Sequence, residues 1–186
     1  MGFVLLVGSC SSKTNSSAPR YTLPAEPTLE AHALRGPEGE SYIVGSTNLP
    51  DGMKMLVHVG APKVIASDNR VHVHNSKFET ITLWEIVPNS YFNSKLAKLP
   101  DGPKLKFRQR PLRAGNYKVQ FEAYFNSGWQ KPEVLTMLGG EGGKSLKGKM
   151  FKVLNSDVID SSKKLDYSMM IEFPPLTPEA RAISIE

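Results

Sequence analysis

The chain contains a single cysteine, Cys10, so an internal disulfide is excluded and the fold must be held by packing alone. No segment approaches the roughly 20 consecutive apolar residues of a membrane-spanning helix. Catalytic motifs are missing as well. No carboxylates are paired within one motif, no nucleophile elbow is present, and no Ser, His and Asp share a local context. We therefore predict a protein that is not an enzyme and uses no cofactor.

Residues 138–145 come nearest to a nucleotide-binding motif, but their spacing is wrong. Gly143-Lys144-Ser145 matches the end of a phosphate loop, yet Leu138 occupies the position of the first glycine. The segment also follows a predicted helix, whereas the motif follows a strand. A surface loop is the better interpretation.

Composition favours many turns, and charge favours an anionic partner. The chain holds 15 glycines and 14 prolines, which is typical of short strands joined by turns. Its 23 Lys and Arg residues against 18 Asp and Glu residues give a net charge of +5. Such an excess favours anionic surfaces in general, and by itself it does not choose among phospholipid, lipopolysaccharide, cell-wall polymer and nucleic acid.

Short segments with apolar and polar residues in alternation recur along the chain and predict strands. They cover residues 28–35, 41–47, 53–59, 69–74, 78–86, 105–109, 117–123, 150–154 and 167–173. In the segment 69–74 the inward residues are Val71 and Val73. The segment 78–86 shows apolar residues on both faces, which is typical of a central strand.

Residues 112–121 form the clearest of these units, a corner followed by a half-buried strand. Gly115 supplies the permissive backbone of a tight turn. Tyr117, Val119 and Phe121 then alternate with polar residues, so they face the core. The Tyr117 hydroxyl is expected to reach back to the turn, as in the tyrosine corner of immunoglobulin-like sandwiches.

Together these segments predict an all-β, immunoglobulin-like or fibronectin-like antiparallel β-sandwich of about seven strands. One short helix is expected at residues 132–138, with Pro132 in its first turn and Gly139 capping its end. The sandwich spans residues 28–173. A flexible tether at 11–27 precedes it, and a Pro-rich tail at 174–186 follows it.

The N-terminus resembles the end of a bacterial lipoprotein signal peptide. An apolar run at residues 3–7 leads into Val7-Gly8-Ser9-Cys10, which occupies the positions of a lipobox. The resemblance implies a signal remnant at 1–10 and acylation of Cys10 as the lipid attachment site. The tether would then lift the domain off a membrane. Because Ser11 is not the Asp that retains such proteins at the inner membrane, the family rule implies an outer-membrane anchor.

The folded region resembles a recurring kind of bacterial lipoprotein domain of uncharacterised function. Its corners here are Asn48-Leu49-Pro50-Asp51-Gly52 and Leu112-x-x-Gly115-x-Tyr117, and its glycine-rich loop is residues 140–148. The resemblance covers roughly residues 42–173. It implies the sandwich fold and the bacterial cell envelope, on the periplasmic side or the cell surface, and it carries no activity.

Three histidines are candidate metal ligands. His72 and His74 share one face of a predicted strand, and His58 lies on a neighbouring one. Imidazoles suit zinc or copper. Because no Cys, Asp or Glu completes the set nearby, we assign no metal, and an exposed polar strand face is the alternative.

A basic stripe, here Lys104, Lys106, Arg108 and Arg110, alternates with other residues along one predicted strand. It either protects an edge strand from aggregation or recognises an anionic ligand. A second pattern is the repeat of Tyr-Phe-Asn-Ser at 91–94 and 124–127. The repeat either forms an aromatic patch at one end of the sandwich or belongs to the core.

These features predict a membrane-anchored envelope lipoprotein with a non-enzymatic binding or scaffolding domain. Its partners are the membrane, through the lipid anchor, and another envelope protein or an anionic polymer, without nucleic acid. The alternative is a module that binds anionic envelope components through the basic stripe. A histidine-dependent metal-binding protein is a third hypothesis.

Overall fold

The computed structural model describes residues 21–24, 26–37, 39–60, 69–80, 82–88, 107–154, 162–176 and 178, with the backbone alone at 69, 84–88 and 107–111. These ranges contain ten strands, one α-helix and one 3-10 turn. The elements are β1 (Leu29–Arg35), β2 (Ser41–Thr47), β3 (Lys54–Gly60), β4 (Asn69–His72), β5 (Lys77–Glu79), β6 (Trp84–Pro88), β7 (Phe107–Pro111), β8 (Gly115–Tyr124), α1 (Pro132–Met137), the 3-10 turn Glu141–Gly143, β9 (Phe151–Val153) and β10 (Lys163–Phe173).

The strands form three antiparallel sheets, so the expectation of a mostly β protein is confirmed. A three-stranded sheet has the order β1-β2-β5, and a five-stranded sheet has the order β4-β3-β8-β10-β9. β6 and β7 pair with each other in a two-stranded sheet. The described residues hold ten strands against the roughly seven expected for the sandwich, because each of the nine alternating segments contains a strand and the segment 78–86 contains two.

The inner faces of the two larger sheets share one hydrophobic core. Met55 and Val57 of β3 and Phe121 of β8 are fully buried, as their alternation with polar residues predicted. Across the core, the Phe78 ring meets the Phe121 ring edge to face, with 5.7 Å between the ring centroids. Such a pair adds about 0.5–1.5 kcal/mol to simple burial and connects the two sheets directly.

The predicted corner before β8 is present. Gly115 has a φ of +141°, which an L-residue rarely adopts, and Leu112 is fully buried. The Tyr117 hydroxyl donates to the Arg113 carbonyl oxygen at 3.1 Å, four residues upstream. The Tyr117 ring packs edge to face on Phe173, at 5.0 Å between the ring centroids. This side chain therefore fixes the entry of the longest buried pairing, β8 with β10.

Arg35, at the end of β1, ties four segments together. Its Nε donates to the Pro174 carbonyl at 2.9 Å and one terminal nitrogen donates to the Leu112 carbonyl at 2.5 Å. The other terminal nitrogen donates to the Gly39 carbonyl and to the Ser41 hydroxyl. Burial lowers the pKa of the guanidinium, and four of its five N–H groups donate to oxygen atoms of the protein.

The single strand predicted at 78–86 is two strands, which corrects that prediction. β5 ends at Glu79, but the chain stays beside β2: Thr80 N donates to Ile43 O at 2.9 Å and Leu83 N donates to Ser41 O at 2.7 Å. The chain thus advances three residues while β2 advances two. One extra residue disrupts the ladder, as in a β-bulge, and β6 then leaves for another sheet.

The predicted helix forms as α1, one residue shorter than expected. Pro132 occupies its first turn, where the missing N–H costs nothing. Gly139 has a φ of +83°, and Gly140 N donates to Leu135 O at 2.8 Å, which closes the last turn. Val134 and Leu135 are buried, and Val134 Cγ2 would lie 3.4 Å from a Cβ at Gly52, so α1 covers the core beside the β2–β3 turn.

Residues 21–27, assigned to the tether from the sequence, contact the sandwich where they are described. The Tyr21 hydroxyl donates to the Asn48 carbonyl at 2.7 Å, and burial raises the pKa of Tyr21 to about 12. Asn48 Nδ2 donates to the Glu26 carbonyl, and its Oδ1 accepts a bond from Thr28 N. Part of the segment assigned to the tether therefore packs on the sandwich, and Cys10 lies outside the described residues.

Candidate functional site

A groove of about 700 Å³ lies on the outer face of the three-stranded sheet and at its junction with β4. Three histidines, two glutamates and one lysine supply its charged and titratable lining. We call it the imidazole groove, and it is lined by Glu30, His32, Val44, Gly45, Ser46, His72, His74, Lys77, Phe78 and Glu79. Its volume lies within the range of about 300–1,000 Å³ that is common for small-molecule sites.

Strand register shows that β2 forms the floor of the groove and that β1 and β5 form its two walls. Glu30 pairs with Ser46, and Ser46 pairs with Lys77. In the next outward row, His32 pairs with Val44, and Val44 pairs with Glu79. Adjacent strands are about 4.8 Å apart, so the charged groups of β1 and β5 face each other across roughly 10 Å, above small β2 side chains.

The tight hairpin between β4 and β5 brings His72 and His74 to this groove. His74 N donates to Lys77 O at 2.8 Å, and Lys77 N donates to His74 O at 3.0 Å. The turn between these two residues therefore has only two residues. Asn75 and Ser76 in that turn have φ values of 50° and 60°. Positive φ at both positions matches the twist of a hairpin, and Asn is one of the residues that tolerates it.

Asp51 holds this hairpin from the neighbouring β2–β3 turn. Its carboxylate accepts bonds from Ser76 N at 3.2 Å and Asn75 N at 3.0 Å. These bonds to Ser76 and Asn75 lower the pKa of Asp51 from its ordinary value. The hairpin passes from the five-stranded to the three-stranded sheet, so the groove is built from both.

The structure separates the predicted histidine trio and forms another. His72 pairs with Lys54 on β3, four residues before His58. His58 lies instead 3.4 Å from the Glu122 carboxylate on the outer face of the five-stranded sheet. His32, which the sequence reasoning did not select, joins His72 and His74 in the groove. Its only sequence signal is an outward position on the alternating strand β1.

No group of three His, Cys, Asp or Glu side chains within the described ranges is placed to hold a metal ion. The groove is also much wider than the coordination sphere of a bare ion. Its polar side chains are suited to reversible contacts with a small ligand, because imidazoles, carboxylates, an ammonium and a hydroxyl supply both donors and acceptors.

A charge network covers part of the outer face of the five-stranded sheet. Lys164 Nζ lies 2.5 Å from Glu122 Oε1 and 3.4 Å from Asp166 Oδ2, and Lys152 lies 3.1 Å from Asp166. The hydrogen bond to Glu122 is the main reason that the pKa of Lys164 is raised. Opposite charges alternate across β8, β10 and β9, so these groups support strand pairing.

The basic stripe falls largely on residues that the structure does not describe. Lys104 and Lys106 lie outside the described residues. Arg108 and Arg110 lie on β7, opposite Val87 and Glu85 of β6. Among the described strands β7 pairs with β6 alone, and such an edge position favours protection against aggregation over ligand recognition.

Only the second copy of the Tyr-Phe-Asn-Ser repeat is described. Tyr124 meets Trp129 edge to face at 6.0 Å, and the Arg70 guanidinium lies 5.2 Å from the Trp129 ring centroid. Phe125 turns inward and packs on Phe151 at 5.8 Å. This copy therefore divides between the surface and the core, and residues 91–94 lie outside the described residues.

Comparison with protein-family models, with curated proteins and with solved structures gave no match to this chain. Within the part of the chain that the structure describes, no helix has the length and apolar character needed to cross a membrane. The N-terminal motif and the chemistry of the imidazole groove are the two features of the molecule that bear on its function.

Proposed function

We propose that this protein is a lipid-anchored envelope lipoprotein whose sandwich is a non-enzymatic binding domain. The imidazole groove is the observation that carries the binding role. It combines a volume of about 700 Å³ with a mixed polar lining from four strands. Concave sites with a few convergent polar groups are the default ligand sites of proteins.

We infer an immunoglobulin-like or fibronectin-like topology for this domain. β1, β2 and β5 share one sheet, and β3, β8 and β10 share the other. These sets correspond to strands A, B and E and strands C, F and G of immunoglobulin-like domains. The bond from Tyr117 to Arg113 at the start of β8 supports the assignment, because a tyrosine corner occurs at the start of strand F.

The lipobox motif Val7-Gly8-Ser9-Cys10 supports attachment to the membrane at Cys10. The ten residues between Cys10 and Tyr21 span at most about 35 Å when fully extended, which would keep the domain close to the bilayer. Each buried methylene of an attached acyl chain contributes about 0.8 kcal/mol, so several chains provide a stable anchor. Ser11 favours the outer membrane.

Metabolic labelling with an alkyne fatty acid in a bacterial host tests the anchor. The wild-type chain should be labelled and should sediment with membranes. Cys10→Ala should lose the label and appear in the soluble fraction, whereas the matched control Ser11→Ala should keep both. An unlabelled wild-type chain that sediments no more than Cys10→Ala would refute the lipoprotein assignment without bearing on the groove.

The alternative binding surface is the basic stripe, which remains a prediction. Salt-sensitive retention of the full chain on anionic vesicles would support it. Replacing Lys104, Lys106, Arg108 and Arg110 by Gln should then abolish retention. Unchanged retention of that variant would remove the stripe from consideration.

A further inference from the structure

Three of the four histidines of this chain line the imidazole groove. They come from separate parts of the fold, since His32 lies on β1 whereas His72 and His74 flank Val73 on β4 and beyond it. The fourth, His58, lies on the other sheet beside Glu122. The groove therefore holds most of the groups in this protein whose type gains a proton between pH 8 and 5.

The other charged groups of the lining are few, so protonation of the three imidazoles changes the sign of the net charge of the groove. Glu30 and Glu79 carry two negative charges and Lys77 carries one positive charge, so the lining sums to −1 with neutral imidazoles. With all three imidazoles protonated the sum is +2. Asp51 also lies near His74, and its carboxylate accepts the two turn amides. The sign of the groove thus depends on the imidazoles.

Hydrogen-bonding capacity changes together with charge. A neutral imidazole offers one donor and one acceptor, whereas an imidazolium offers two donors. The floor adds the Ser46 hydroxyl and the wall adds the Lys77 ammonium. A protonated groove is therefore rich in donors from three sides, which is the environment that an oxyanion requires.

We propose that the imidazole groove binds an oxyanion, a carboxylate or phosphate group of a small ligand, in mildly acidic solution and releases it near neutral pH. The inference rests on the proposed binding function and specifies its ligand chemistry and its control. His32, His72 and His74 bind the anion, Lys77 and Ser46 contribute donors, and Glu30 and Glu79 repel the anion once the imidazoles are neutral.

Titration with sulfate tests this inference, because sulfate keeps its charge over the relevant pH range. Backbone amide and imidazole signals of the full chain are followed by NMR at constant ionic strength, at about pH 5.5 and about pH 7.5. We expect shifts at the groove residues and binding that is at least about tenfold tighter at the lower pH. A second arm with acetate compares a carboxylate with the tetrahedral dianion.

The triple variant H32Q/H72Q/H74Q should lose most of the affinity at low pH and all of its pH dependence. Its three positions are exposed, and unchanged amide signals of the buried Val57 and Phe121 would show that the fold is intact. The matched control H58Q removes the one histidine outside the groove and should bind sulfate like the wild type.

Three results would overturn the inference. Equal sulfate affinity at both pH values would refute the switch and leave a groove that binds ligands without it. Unchanged binding by the triple variant would place the anion elsewhere. If zinc binds tightly at about pH 7.5 and added zinc abolishes sulfate binding at both pH values, the groove is a metal site instead. None of these results depends on acylation of Cys10.

Discussion

Replacing Arg35 by lysine should destabilise the domain by about 2–4 kcal/mol, although the charge is retained. The guanidinium donates to Pro174, to Leu112, and to Gly39 and Ser41, which belong to three separate segments. A hydrogen bond to a charged group contributes about 1.5–3 kcal/mol, and partial exposure reduces that figure. A lysine ammonium is a single point of charge, so it reaches at most two of these four acceptors well.

Urea denaturation of the full chain, followed by tryptophan fluorescence, measures this loss. In a parallel thermal melt, a loss of about 3 kcal/mol should lower the Tm of a domain of this size by roughly 6–12 °C. The matched control is Arg113→Lys, because Arg113 is exposed and should change stability by less than about 0.5 kcal/mol. If Arg35→Lys is as stable as this control, the four bonds do not hold the segments together and the reasoning is wrong.

Three further predictions concern the corner, the groove and the hairpin. Tyr117→Phe should lose about 1 kcal/mol of unfolding free energy, because the bond to Arg113 O is removed while the ring remains; unaltered stability would make Tyr117 a core aromatic only. Gly45→Ala should cost about 2 kcal/mol or more, since its Cβ would lie 2.3 Å from the Glu30 carbonyl oxygen; a normal denaturation midpoint would contradict this contact. The pKa of Asp51 is lowered in the folded state, so the stability that its carboxylate contributes is present above the unfolded pKa and is lost as pH falls through the folded pKa. Asp51→Ala should therefore reduce the free energy of unfolding at neutral pH, and its difference from wild type should become smaller in acid. A difference that does not change with pH would refute the role of the carboxylate.

Local patterns predicted the core and the corner well. Val57 and Phe121 each belong to a segment in which apolar and polar residues alternate, and both are buried, facing each other across the β3–β8 pairing. Tyr117 follows Gly115 at the spacing of a tyrosine corner, and its hydroxyl makes the expected bond. In these cases the information lies within a few residues, so pattern and turn chemistry suffice.

Features that depend on distant pairing could not be predicted in the same way. Arg35 bonds to a carbonyl 139 residues away, and nothing near it in the sequence indicates that acceptor. His32 joins His74 only because β1 pairs with β2 and β2 pairs with β5. The break after Glu79 carries no glycine or proline signal, so alternation alone extended the strand too far.

Asn48 gives the domain a mechanical property as well as a structural one. Its backbone carbonyl, side-chain oxygen and side-chain nitrogen hold Tyr21, Thr28 and Glu26. Thr47 Oγ1 also donates to the Thr28 carbonyl, so a pull on the chain from the N-terminal side of Tyr21 would load Asn48 and Thr47 before it loads the β1–β2 ladder. We expect these side-chain bonds to break first under such a pull, while the seven paired residues of β1 stay in register.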